Sequence, residues 1–214
     1  MQDKAYRDFH SRLMPTVEKE RIIGIRVPVL RAYAKRLAGT EKAEKFLLDL
    51  PHKYYDENNL HAFLIERLGT YDETSEALDR FLACVDNWAT CDMMSPKILA
   101  KYPERLLSDA ERWMESGKTY AVRFGIKMHM EHFLGERFRA EYMERICAVK
   151  SDEYYVKMMV AWYFATALAK QPNAALPYLE KRLLPYEIHN MTVRKALDSR
   201  RLTADEKKII KALK

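Results

Sequence analysis

Asn87-Trp88-Ala89-Thr90-Cys91-Asp92 sets an indole and a carboxylate four residues apart. That is one turn of a helix, so a π face and a negative charge can meet the same cationic or electron-poor ligand. A second tryptophan, Trp162, closes the run Tyr154-Tyr155-Val156-Lys157-Met158-Met159-Val160-Ala161-Trp162. Cations recur at the same helical step: Arg123 with Lys127, and Arg194 four residues after Asn190, while Lys157 stands near Tyr154. The spacing also allows a packing role, with Trp88 as a core aromatic, Asp92 as a surface charge, and Trp162 beside the stripe Val160, Phe164, Leu168. Spacing alone leaves both readings open.

Other chemistries lose their support. His129-Met130-Glu131-His132 lacks the H-E-x-x-H order that puts two zinc ligands on one helix face with a base between them. There is no Ser-centred nucleophile elbow, no GxGxxG and no Walker loop, so triad hydrolysis, dinucleotide binding and nucleotide hydrolysis are not indicated. Cys84, Cys91 and Cys147 cannot all pair and none lies at a metal-ligand spacing, which fits a reducing compartment. Met93-Met94 and Met158-Met159 read as core filling.

The elements that must position these residues are helices. Of 214 residues 48% are apolar, enough for a substantial core, and only six are glycine and eight proline. Apolar residues step by three and four, as in Leu60, Phe63, Leu64, Leu68 and Val122, Ile126, Met130, Phe133, which predicts an all-α chain. Breaks fall at Gly24, Gly39, Pro51, Gly69, Pro103, Gly117, Gly135, Ser151, Pro172, Pro185 and Thr203, with helix caps expected at Thr40, Ser151, Asn173 and, as a capping box with Glu206, Thr203. Tyr55, Tyr120, Tyr155 and Asn190 open helices 65, 35 and 35 residues apart, and Trp88 falls near the middle of the long interval. A period of 33 to 35 residues with two helices per unit predicts one α-solenoid domain of HEAT-like helical repeats over 1–214. Its second helices, expected over 28–37, 54–68, 88–101, 119–134, 153–170 and 190–199, would line a concave basic cleft.

Charge adds to this picture. Lys and Arg exceed Asp and Glu by six, and from Arg194 to Lys214 eight cations face three acids, so the carboxyl-terminal segment holds most of the surplus. No apolar run reaches the roughly 20 residues of a membrane span, and the amino terminus carries neither a signal-peptide core nor a transit pattern. The expectation is a soluble, cytoplasmic protein.

Five motifs then carry a resemblance: Gly24-Ile25-Arg26-Val27-Pro28-Val29-Leu30-Arg31, the Asn87 to Asp92 segment, Tyr120-Ala121-Val122-Arg123-Phe124-Gly125-Ile126, Tyr154 to Trp162, and Asn190-Met191-Thr192-Val193-Arg194-Lys195. In this order they resemble the DNA alkylation repair family of AlkD type, from about Gly24 to the end. The resemblance implies a HEAT-like repeat DNA glycosylase that removes positively charged N3- and N7-alkylated purines from duplex DNA. It implies Asp92 as the catalytic carboxylate, Trp88 and Trp162 as cleft tryptophans and Arg123 as the lesion-side arginine. Lys97, Lys127, Lys157 and Arg194 become DNA-backbone contacts. No metal or other cofactor and no membrane is implied, and the protein is expected to be a monomer. Better-known members carry a further helix before the Gly-Ile segment, whereas 23 residues precede Gly24 here. A noncatalytic HEAT-like scaffold that binds nucleic acid or protein is therefore the alternative.

Overall fold

Helix starts follow capping chemistry. In the computed structural model, which describes residues 2–214, Asp3 accepts the Tyr6 amide ahead of α1 (Lys4–Leu13) and Thr40 accepts the Ala43 amide ahead of α3 (Glu41–Leu48). Thr70 and Glu73 form a reciprocal box at α5 (Tyr71–Leu82). Pro28 stands in the first turn of α2 (Val27–Leu37), where a missing N–H costs no helical hydrogen bond. With α4 (Tyr55–Ile65) and α6 (Trp88–Met93), these elements lead through the first of two compact units, 1–106 and 107–214, and α7 (Pro103–Glu115) crosses from one into the other. The second unit continues with α8 (Thr119–His132), α9 (Ala140–Cys147), α10 (Tyr154–Lys170), α11 (Pro172–Glu180), α12 (Tyr186–Asp198) and α13 (Ala204–Ala212). The protein is all-α, and no strand occurs among the described residues.

In the first unit α4 is the centre: it touches α2, α3, α5 and α6, and ten of its eleven residues are buried. Burying a polar side chain on such a helix is costly unless it finds a partner. Asp56, in its first turn and 2% exposed, does so by accepting the amides of Ile23 at 2.7 Å, Gly24 at 3.3 Å and Ile25 at 2.6 Å. Gly24 has φ +89°, and a Cβ there would lie 2.7 Å from the Asp3 carbonyl and 2.8 Å from Arg7 Cβ, so both backbone and space require glycine. Farther along α4, His61 Nδ1 shares a 2.7 Å hydrogen bond with His52 Nε2, and their rings stack on Phe81 and Phe46.

In the second unit α10 plays the same part, touching α8, α9, α11 and α12, with α13 laid against α12. Gly125 lets α8 pass close to α7, since a Cβ there would meet the Ala110 carbonyl at 2.5 Å. His129, fully buried against Phe133 and Tyr142, has no hydrogen-bond partner on either ring nitrogen. Within each unit alternate helices lie side by side, α2 with α4 and α6, then α8 with α10 and α12, as helical repeats do.

The boundaries correct four expectations. The run expected over 88–101 breaks because Pro96 lacks an N–H and forces the preceding backbone out of the helix; Met94 is already extended and the chain resumes as a 3-10 turn at Leu99–Lys101. The last second helix begins at Tyr186, directly after Pro185, four residues before Asn190. Asn173 is not a cap, because Pro172 is already helical and Gln171 stands at the boundary. Nor is Ser151, because Glu153 stands at the start of α10 and the Ser151 hydroxyl only accepts the Glu153 amide at 3.2 Å before the helix begins. Starts at 27, 55, 88, 119, 154 and 186 give a looser period of 28 to 35 residues.

Gly24→Ala is expected to cost about 2–4 kcal/mol in urea denaturation, combining a left-handed backbone with overpacking against α1; a loss under 1 kcal/mol would contradict the close approach. Burial pushes His61 down to about 3, helped by His52 and Arg80, and pushes His129 down to about 4. Both stay neutral when folded, whereas the unfolded chain takes up protons below about 6.5. Stability must therefore fall as pH falls from about 6.5 towards 4, each histidine adding a slope of up to about 1.4 kcal/mol per pH unit. Denaturation across that range, with His129→Phe flattening the slope, checks it.

Candidate functional site

Six residues make a helix too short to hold itself, so α6 relies on its first cap and its neighbours. Asn87, fully buried, accepts the Thr90 amide at 2.8 Å through its side-chain oxygen. Its side-chain nitrogen donates to Thr90 Oγ1 at 3.1 Å and to Asp86 at 3.0 Å. Thr90 in turn donates to Asn59 Oδ1 on α4 at 2.8 Å, and Asp86 pairs with Arg21 at 2.7 Å. A continuous polar chain thus runs from the amino-terminal segment through the α6 cap into the buried α4.

That chain decides which side of α6 faces out. Ala89, Thr90 and Cys91 are buried, whereas Trp88 and Asp92 are both partly exposed, so the expected shared face of W-x3-D is present. The Trp88 indole N–H donates to the Leu13 carbonyl at the end of α1 at 3.1 Å, and the ring packs beside Met14, Val17, Ile22, Tyr55 and Ala89. One end of the indole is tied down while part of the ring stays accessible. Lys97 is exposed on the stretch between α6 and the 3-10 turn.

The remaining candidates lie in the second unit. Trp162 is 37% exposed on α10, with the Lys195 ammonium 5.3 Å from its ring centroid. Arg194 is exposed on α12. Lys157 is partly covered and bound to Glu187 at 2.8 Å, a hydrogen bond that holds its ammonium above the usual lysine range. Arg123 and Lys127 share a face as expected, yet that face is the buried one, at 3% and 2% exposure. Arg123 donates to the Tyr155 carbonyl at 2.7 Å, and Lys127 pairs with Glu131 at 3.0 Å. Neither cation therefore stands on the surface in the way the sequence pattern suggested.

Sequence reasoning passed over Asp56, Asn59, Asn87 and Arg21 as parts of the site. The signal was there in Asp56-Glu57-Asn58-Asn59, four polar residues opening a helix with no polar side. Lys195 was also passed over, because only the packing of α12 on α10 brings it above Trp162. Among the described residues no His, Cys, Asp and Glu side chains gather into a metal-binding group, and no helix is long and apolar enough to cross a membrane.

With this geometry in hand, comparison with known proteins gives one positive finding. The model of a family described as DNA alkylation repair enzyme matches residues 1–199, including the residues before Gly24 that the motif resemblance left out. No curated protein matches the chain.

Asn87→Ala removes the α6 cap and leaves the Thr90 amide short of its acceptor inside the core. A loss of about 2–3 kcal/mol is expected, from one cap and one unsatisfied buried group. Urea denaturation measures it, and quenching of tryptophan fluorescence should show Trp88 more accessible even where the fold survives.

Proposed function

The chain belongs to the DNA alkylation repair enzyme family, and from that premise we propose that it is a DNA glycosylase releasing positively charged N3- and N7-alkylated purines from duplex DNA. The observation that carries this reading is the joint exposure of Trp88 and Asp92 on an α6 whose other face is locked into the core. A carboxylate and a π face held side by side suit a reaction that develops positive charge on a sugar.

An alkylated purine already bears a positive charge, so its glycosidic bond breaks without an acid to protonate the leaving group. The electron pair of that bond leaves with the base and neutralises it, while the deoxyribose becomes oxocarbenium-like. Asp92 stabilises that cation electrostatically and orients the water that adds to the anomeric carbon, as one carboxylate of a glycosidase does. Trp88, tied through its N–H to α1, lays its ring against the sugar, a contact worth roughly 0.5–2 kcal/mol to a neighbouring cation. Trp162 offers a second aromatic surface, and Lys97, Arg194 and Lys157 reach phosphates, the last on parting from Glu187. Arg123 and Lys127 act as fixed, buried positive charge that holds its own unit together. The chemistry calls for no metal and no organic cofactor, and selection follows from the lability of the charged lesion.

Asp92→Asn should keep the fold and bind duplex DNA as tightly as the wild type or tighter, since a negative charge is removed. Release of N7-methylguanine or N3-methyladenine from methylated duplex, followed by chromatography, should drop by about a hundredfold or more. Equal rates above the spontaneous one would remove Asp92 from the mechanism. Duplex binding with no release by the wild type above the spontaneous rate would favour the noncatalytic scaffold instead.

A further inference from the structure

The family match ends at 199, but the fold does not. Residues 200–214 carry Arg200, Arg201, Lys207, Lys208, Lys211 and Lys214 against Asp205 and Glu206. Four of the chain's six net positive charges therefore lie in this last stretch, and the other 199 residues share a surplus of two.

Both acids are already committed. Glu206 closes the capping box of α13, accepting from the Thr203 amide at 2.7 Å and its hydroxyl at 2.8 Å, and Asp205 pairs with Lys208 at 3.2 Å. Arg200, Arg201, Lys207, Lys211 and Lys214 make no ion pair among the described residues, unlike Arg21, Arg31, Arg112 and Lys157, each of which has a carboxylate partner. Lys207 and Lys211 are one helical turn apart on one side of α13, and Lys214 lies just past its carboxyl-terminal end.

This is a docked helix rather than a loose tail. Leu202 and Ile210 are buried in the second unit's core and Leu213 packs beside them. His189 donates to the Leu213 carbonyl at 2.8 Å and Arg182 to that of Lys214 at 3.2 Å. Because the backbone that carries these ammonium groups is already ordered, meeting a polyanion requires ordering of the lysine side chains but no folding of the segment.

We propose that α13 and the turn before it form an accessory DNA-backbone contact, outside the region shared with the family; this rests on the DNA-repair reading above. The ligand chemistry is the phosphate backbone of duplex DNA, engaged without sequence preference, because ammonium groups at regular spacing meet phosphates and read no base edges. Counterion release makes the contact strongly salt-dependent.

The test compares the wild type with the triple variant Lys207→Gln, Lys211→Gln, Lys214→Gln and with a charge-matched control on the outer helices, Lys42→Gln, Lys45→Gln, Arg80→Gln. Anisotropy titrations of a labelled duplex at several salt concentrations give the slope of log affinity against log salt. The α13 variant should lose about 2–3 units of slope and bind about ten- to a hundredfold more weakly at low salt, while the control loses less than one unit. Lys→Arg at the same three positions should keep the wild-type slope. Equal slopes for wild type and α13 variant, or equal losses in variant and control, would overturn the accessory contact and leave the glycosylase reading standing. A wild type that binds no duplex at all would overturn both.

Discussion

The carboxylate of Asp56 accepts three successive backbone amides, from Ile23, Gly24 and Ile25, inside a site that is 2% exposed. An ionised group in such a place is tolerated only when its oxygens are fully hydrogen-bonded. Its place in the first turn of α4 adds the favourable end of the helix dipole. The exchange works in both directions, because the carboxylate satisfies amides that turn away from any regular element and those amides anchor the carboxylate. The chain before α2 is thereby tied to the most buried helix of the first unit. Gly24 is the necessary partner, since its left-handed backbone aims the amides inward and its missing side chain lets α1 approach.

From that anchor the candidate site follows. α1 can offer its Leu13 carbonyl to Trp88 only because the segment between α1 and α2 is held, by Asp56 at one end and by Met14, Val17 and Ile22 in the core at the other. Arg21 extends the same support to Asp86, next to the cap of α6. The helix that displays Trp88 and Asp92 is too short to be stable alone, and its orientation is set by the Asn87, Thr90 and Asn59 hydrogen bonds. Buried polar networks of this kind contribute geometric definition more than stability, and the proposed reaction would depend on that definition.

The second unit uses burial differently. α8 and α10 bury Arg123 and Lys127 beside apolar residues such as Phe124, and each cation is met there by an acceptor, the Tyr155 carbonyl or the Glu131 carboxylate. Other cations of the unit are exposed, among them Arg194 on α12 and Lys211 on α13, while Lys157 is partly covered. The positive charge of this unit is thus divided between fixed interior groups and outer groups that can meet a polyanion.

Much of this was legible from the residues alone. Period-three and period-four spacing dictated helices, and the caps at Thr40 and Thr203 were readable because a hydroxyl serves an amide only three residues away. The shared face of Trp88 and Asp92 was readable for the same reason: it depends on helix geometry within one turn. The local reach of such rules also explains where they stopped. Pro96 was visible, but an apolar run on both sides of it concealed the end of α6. The buried acceptor of Arg123, the three-amide seat of Asp56, the tie between Trp88 and Leu13, and the placing of Lys195 over Trp162 join residues 31 to 75 positions apart. Helical periodicity says which side chains share a face. It does not say whether that face meets solvent or another helix, and only the packing of α2 with α4 and α6, and of α8 with α10 and α12, supplied that answer.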